Sequence, residues 1–118
     1  FTAPKTPILV SINPALHIWT IENLMKNAID AMEGNGKLTI QLREVNKQAQ
    51  IDISDTGKGM TSRQMNSVFK PGFTTKKRGW GLGLSLVRRI VKEYHKGRVY
   101  VHHSELGKGT TFRITIPK

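Results

Sequence analysis

With 118 residues and no cysteine, the chain is the size of one domain and holds neither a disulfide framework nor a Cys-based zinc site. No apolar run approaches the roughly 18 residues that span a bilayer, and no signal-peptide pattern opens the chain, so the composition points to the cytoplasm. A net charge of +11 calls for an anionic partner, which can be nucleic acid, a phosphate-bearing ligand or an acidic protein surface.

The segment "ILVSI" at 8–12 reads as a short buried strand. "NPALHIW" then supplies Asn13 as an N-cap with Pro14 in the first helical position. The helix is expected to run to about Met32 and stop at Gly34, with Leu24, Met25, Ala28, Ile29 and Met32 on one face. "KLTIQLREV" and "AQIDIS" each alternate apolar and polar residues and are joined by "NKQ", which predicts a hairpin. Thr61 and Gln64 form a capping-box pattern for a short helix through Val68, followed by a glycine-rich, basic loop to Gly81. A second long helix is expected over 82–95, with Leu84, Val87, Ile90, Val91 and Tyr94 on one side. "RVYVHH" and "TTFRITI" close the chain as strands around the turn "ELGKG". The pattern predicts an α+β fold, a mixed sheet with helices on one face.

Several polar features are left over. Asn23, Asn27 and Asp30, at i, i+4 and i+7 on the first helix, form one polar stripe, although an Asn that satisfies nearby backbone gives the same pattern. In "DTGKGM" a carboxylate at a strand end precedes two glycines, which taken alone also describes a plain turn. In "RGWGLGLSLVRRIV", Gly79, Gly81 and Gly83 alternate directly before a helix, where backbone can approach a ligand and helix N–H groups are unpaired. Arg88, Arg89 and Lys92 read equally as a solvated helix face.

In this order and with these gaps, "ENLMKNAIDAM", "DTGKGM", "VFKPGFTTKKRGWGLGLSLVRRIV" and "GKGTTF" resemble the ATP-binding catalytic domain of sensor histidine kinases. The likeness covers about 8–116, so the whole chain, 1–118, is expected to be one such domain, excised from a longer kinase. It implies the two-layer α/β sandwich of the GHKL ATPases. It also implies that Asp55 accepts a hydrogen bond from the adenine amine, with Thr110 assisting through water. Gly57 and Gly59 would let the chain pass close to the adenine, where any side chain would intrude, and Met60 would join them in binding the nucleotide. Asn27 would ligate Mg2+ through its amide oxygen, with Asn23 one turn back toward the phosphates. Phe69, Thr74, Thr75 and Lys76 correspond to the F box and lid, Lys76 being the expected contact to the terminal phosphate. Gly79, Gly81, Leu82, Gly83 and Leu84 would wrap the phosphates at the start of the second helix.

Other phosphate-binding loops fail on spacing. "GWGLGLS" is G-x-G-x-G, whereas the dinucleotide fingerprint and the eukaryotic kinase loop need G-x-G-x-x-G, and no G-x-x-x-x-G-K-[ST] is present. The family's hydrolases carry Glu four residues before the metal-binding Asn; here that position is Asn23, and Glu22 lies about 100° around the helix. The resemblance therefore implies a kinase, with an anti-sigma-factor-type serine kinase as the alternative. With 7% aromatic residues and no stacking motif among the cations, nucleic acid is not an expected partner. None of His17, His95, His102 or His103 has the context of a phosphoacceptor, so each is expected to be structural or exposed. The implied partners are the kinase's own dimerisation and phosphoacceptor domain and, through it, a response regulator. The isolated domain is expected to be a monomer, with any membrane attachment lying in other parts of the protein.

Overall fold

A computed structural model describes residues 14–33, 35–70 and 83–117. Helix α1 (Pro14–Met32) is followed by strands β1 (Leu38–Val45) and β2 (Gln48–Asp55), helices α2 (Ser62–Ser67) and α3 (Gly83–Glu93), and strands β3 (Arg98–Glu105) and β4 (Gly109–Pro117). The described strands form one sheet in the order β1-β2-β4-β3, with every pairing antiparallel. The strand expected at 8–12 lies outside the described residues, and so does any parallel pairing that it would add to make the sheet mixed.

α1 and α3 cover one face of the sheet, which gives the two-layer sandwich. Thr20, Leu24 and Ala28, spaced four apart, lie fully inside on α1. Leu24 joins Val87 and Val91 of α3 over Ile53 of β2 and Ile114 and Ile116 of β4. Burying each such side chain contributes about 1.5–3 kcal/mol, so this seam is the main attachment between the layers. Ile29 departs from the expected apolar face and is 48% exposed. At 100° per residue it lies about 140° around from Leu24, past the stripe that meets the sheet.

The helix ends also differ in detail. α1 stops at Met32 as expected, but Glu33, with φ 52°, takes the left-handed conformation. α3 ends at Glu93 rather than at His95, and Tyr94 is 61% exposed. His95 takes the inward place instead, edge-on to His17 with ring centroids 5.8 Å apart. Burial, together with the facing His95, holds the His17 imidazole below its ordinary pKa. His102 and His103 are exposed.

The two hairpins set the sheet register. Asn46 and Lys47 both have positive φ (51° and 62°), matching the two-residue turn whose twist suits antiparallel strands. Across β2 and β4, Asp52 stands opposite Arg113, whose Nε and Nη2 donate to its two carboxylate oxygens at 2.8 and 2.9 Å. This bidentate pair is nearly buried, and a one-residue slip would separate it. The expected capping box is present on α2: Thr61 Oγ1 accepts from Gln64 N, and Gln64 Oε1 accepts from Thr61 N.

Candidate functional site

Asp55 is the last residue of β2 and is 7% exposed. Its Oδ1 accepts a hydrogen bond from Gly57 N at 2.8 Å, and the backbone amide of Thr110 on β4 also donates to the carboxyl. Burial pushes this carboxyl above the usual carboxylate range, and the two amide donors oppose that shift. The group is thus an acceptor held in fixed orientation at a sheet end, with its desolvation only partly offset. A donor arriving from a ligand would complete it.

The loop after Asp55 is fastened on both sides. Lys58 N caps the end of α1 by donating to Ala31 O at 3.0 Å, and Gly107 N donates to Lys58 O at 2.8 Å. A Cβ at Gly57 would collide with the Ala31 carbonyl, and one at Gly59, which has φ +70°, would collide with the Glu105 carbonyl. Both glycines were expected to clear space for adenine; what their missing side chains meet in the structure is the protein's own backbone.

Ser104 is a residue that sequence reasoning missed. Its Oγ accepts from Met60 N at 2.8 Å, lies 2.7 Å from Thr110 Oγ1 and is 3.3 Å from Gly109 O. One hydroxyl therefore ties the 56–60 loop to the strand whose amide holds Asp55. No motif marks it, because its partners come together only through the β3–β4 pairing. Ser104→Ala is expected to leave Met60 N and Thr110 Oγ1 without this partner and to lower stability by about 1–3 kcal/mol. Urea unfolding checks this: a lowered midpoint at unchanged slope is expected, and an unmoved midpoint would refute the clamp.

On α1, Asn23 Nδ2 donates to Trp19 O at 2.8 Å and Asn27 Nδ2 donates to Asn23 O at 3.1 Å. Both NH2 groups are thus used on carbonyls one turn back. The Oδ1 of each side chain is left without a hydrogen-bond donor among the described residues. The donor set therefore suits a hard cation shared with a phosphate, since Mg2+ commonly takes one or two protein oxygens and fills its shell with phosphate and water. The described residues contain no cluster of three or more His, Cys, Asp or Glu that would hold a metal unaided. Asn27 stands one turn before Ala31, where the 56–60 loop docks, so the polar stripe and Asp55 border the same end of the sandwich. Asp30 continues the stripe and is exposed.

The remaining predicted residues divide. Met60, Phe69 and Leu84 pack against the core, and Phe69 meets Phe112 edge-on with centroids 6.0 Å apart. Thr110 is buried beside Ser104. Gly83 opens α3. Thr74, Thr75, Lys76, Gly79, Gly81 and Leu82 lie outside the described residues.

Residues 16–118 match the family described as histidine kinase-, DNA gyrase B-, and HSP90-like ATPase. The sensor histidine kinase ZraS of Escherichia coli K12 is 38% identical over 99% of this chain, which spans 25% of that protein's length. The nucleotide-free catalytic domain of the histidine kinase ThkA superposes with a TM-score of 0.87 at 29% identity, covering 99% of this chain and 76% of that one. Full-length ShkA in complex with AMPPNP gives a TM-score of 0.80 at 26% identity over 93% of this chain and 23% of that one. ThkA in complex with the response regulator protein TrrA gives 0.80 at 27% identity over 99% of this chain and 33% of that one.

Proposed function

Because this chain belongs to the histidine kinase-, DNA gyrase B- and HSP90-like ATPase family, we propose that it binds Mg-ATP and donates the γ-phosphoryl group to a histidine on a separate dimerisation and phosphoacceptor domain. The observation that carries this reading is the buried, doubly amide-anchored carboxylate of Asp55 at the end of β2. An ionised carboxylate only accepts, so it selects a base edge that donates, as the exocyclic amine of adenine does. The Ser104–Thr110 pair holds the neighbouring strand in place for that contact.

At the phosphate end, Asn27 offers an amide oxygen to Mg2+, which when bound supplies charge neutralisation between the phosphates. Asn23, with its NH2 tied to Trp19, presents an oxygen as well, so its contribution runs toward the cation or its water rather than directly to a phosphate oxygen. Gly79, Gly81, Leu82 and Gly83 would contact the phosphates before and at the start of α3, since the N–H groups at a helix N-terminus favour negative charge. Thr74, Thr75 and Lys76 would be the lid contacts, with Lys76 to the terminal phosphate.

Phosphoryl transfer to histidine asks mainly for positioning. A neutral imidazole nitrogen attacks the γ-phosphorus, the bond to the bridging oxygen breaks, and ADP leaves. The site has Asn23 where a water-activating Glu would stand, and this favours transfer over hydrolysis. The ThkA–TrrA complex supports a response regulator as the next partner in the relay. We assign the domain to the cytoplasm as a monomer, and among the described residues no helix is long and apolar enough to cross a membrane.

Incubation with γ-labelled ATP and a helical acceptor domain from the same kinase tests the reaction. Acid-labile, base-stable label on a histidine of the acceptor is expected, with none on this chain alone. Acid-stable label on a serine, or fast phosphate release without acceptor, would overturn the histidine-kinase reading.

A further inference from the structure

The chain has no cysteine, so its four methionines hold all of its sulfur. Met32, the last residue of α1, places one of these sulfurs where three segments meet. Its Sδ accepts a hydrogen bond from Thr56 Oγ1 at 3.8 Å. The same hydroxyl oxygen accepts from Lys37 N at 2.9 Å. One point of contact thus joins the end of α1, the entry to β1 and the loop that follows Asp55. Thr56 and Gly36 are exposed and Met32 is only partly buried, so small solutes reach this joint.

The joint has no spare room. A Cβ at Gly36 would lie 2.6 Å from Met32 Sδ and 2.7 Å from Thr56 Oγ1, so the Gly36 backbone stands directly against the sulfur. A Cβ at Gly57 would lie 2.9 Å from Met32 N, so the loop and the end of α1 also meet backbone to backbone. An oxygen bonded to Sδ needs about the space of a methyl group and is strongly polar. On the lone pair that Thr56 uses, it would take the place of the hydroxyl hydrogen and push Thr56 away. The two amides that fasten the loop come next in the chain. Gly57 N donates to Asp55 Oδ1 at 2.8 Å, and Lys58 N donates to Ala31 O at 3.0 Å. A displaced Thr56 pulls on both bonds.

We propose that Met32 is a redox-sensitive fastening of the Asp55 loop, released when a peroxide oxidises its thioether to the sulfoxide. The sulfur lone pair attacks one oxygen of hydrogen peroxide, the O–O bond breaks, an S–O bond forms, and the other oxygen leaves as water. Sulfur gives up the two electrons that the peroxide gains, so no further reactant is needed. The released loop holds the Asp55 carboxylate less firmly, which lowers ATP affinity. That consequence rests on the proposed nucleotide site, whereas the loosening of the loop does not.

The test treats this chain with hydrogen peroxide, locates the added oxygen by peptide mass spectrometry and follows amide hydrogen exchange over 56–59 without nucleotide. Oxygen on Met32 is expected, with exchange faster by about tenfold or more. Methionine sulfoxide reductases for the two sulfoxide epimers should restore slow exchange. Met32→Leu, of similar volume, should exchange slowly before and after peroxide, although Met25, Met60 and Met65 remain oxidisable. Exchange that stays slow once Met32 carries the oxygen, or that quickens equally in Met32→Leu, would overturn the proposal, as would a Met32 that escapes oxidation. Titration with ATP separates the two readings. An untreated chain that binds no ATP would remove the nucleotide site, while the exchange result still decides the role of Met32.

Discussion

Asp55→Asn is expected to cost about 1.5–3 kcal/mol of ATP binding, roughly ten- to a hundredfold in affinity, while the chain stays folded. The carboxylate already accepts from the amides of Gly57 and Thr110 and, in the proposed complex, from the adenine amine. An asparagine has only one acceptor oxygen for these donors. Its NH2 must therefore face a backbone N–H or the base amine, and either contact sets donor against donor. The same site gives a pH dependence of fixed sign. Burial raises the Asp55 pKa in the free chain, whereas a ligand N–H favours the ionised form. ATP affinity should be full above that raised pKa and fall as pH drops through it. Asp55's contribution to folding runs the opposite way: it is most favourable below the ordinary carboxylate range and is lost as pH rises through the raised value. Calorimetric titration of parent and variant across pH checks both statements. A variant that binds ATP like the parent would remove Asp55 from the site.

Asn27→Ala is expected to lose most of the gain in nucleotide affinity that Mg2+ provides, at least about tenfold, since even outer-shell losses at metal sites cost on that order. Metal-free binding should change little, because the Asp55 end of the site is untouched. The side chain donates to Asn23 O from Nδ2, so the alanine variant removes one local bond as well as the free oxygen. Asn27→Asp separates the two effects: it supplies an oxygen for the cation without the NH2 and should keep a Mg2+ response. Titrations with and without Mg2+ decide the matter, and an alanine variant responding to the metal as the parent does would refute the ligand role.

Much of this architecture is legible in the sequence where the signal is local. Alternation in "KLTIQLREV" and "AQIDIS" marks the first hairpin, and Thr61 with Gln64 marks the start of α2 within one residue. Legibility fades where the deciding contact is remote in sequence. The missing Cβ atoms of Gly57 and Gly59 read from the sequence as clearance for a ligand, yet they face Ala31 and Glu105, which only tertiary packing brings near. Ser104 lies 44 residues from the Met60 amide it accepts from, so no window of local pattern could reveal the clamp. Asp52 looks like a solvent-facing strand residue until Arg113 folds over it from β4. For Asn23 and Asn27, the structure bears out the backbone-satisfying reading for the NH2 groups, which donate one turn back. A ligand on the oxygens is the proposal that the Asn27 variants test.

The most direct measurement for the central claim is calorimetric titration of the unaltered chain with Mg-ATP and, separately, Mg-GTP. The buried acceptor at Asp55 predicts saturable ATP binding and GTP binding weaker by roughly a hundredfold or more, because guanine places a carbonyl where adenine carries its amine. Equal affinities for the two nucleotides, or no binding of ATP, would contradict the account.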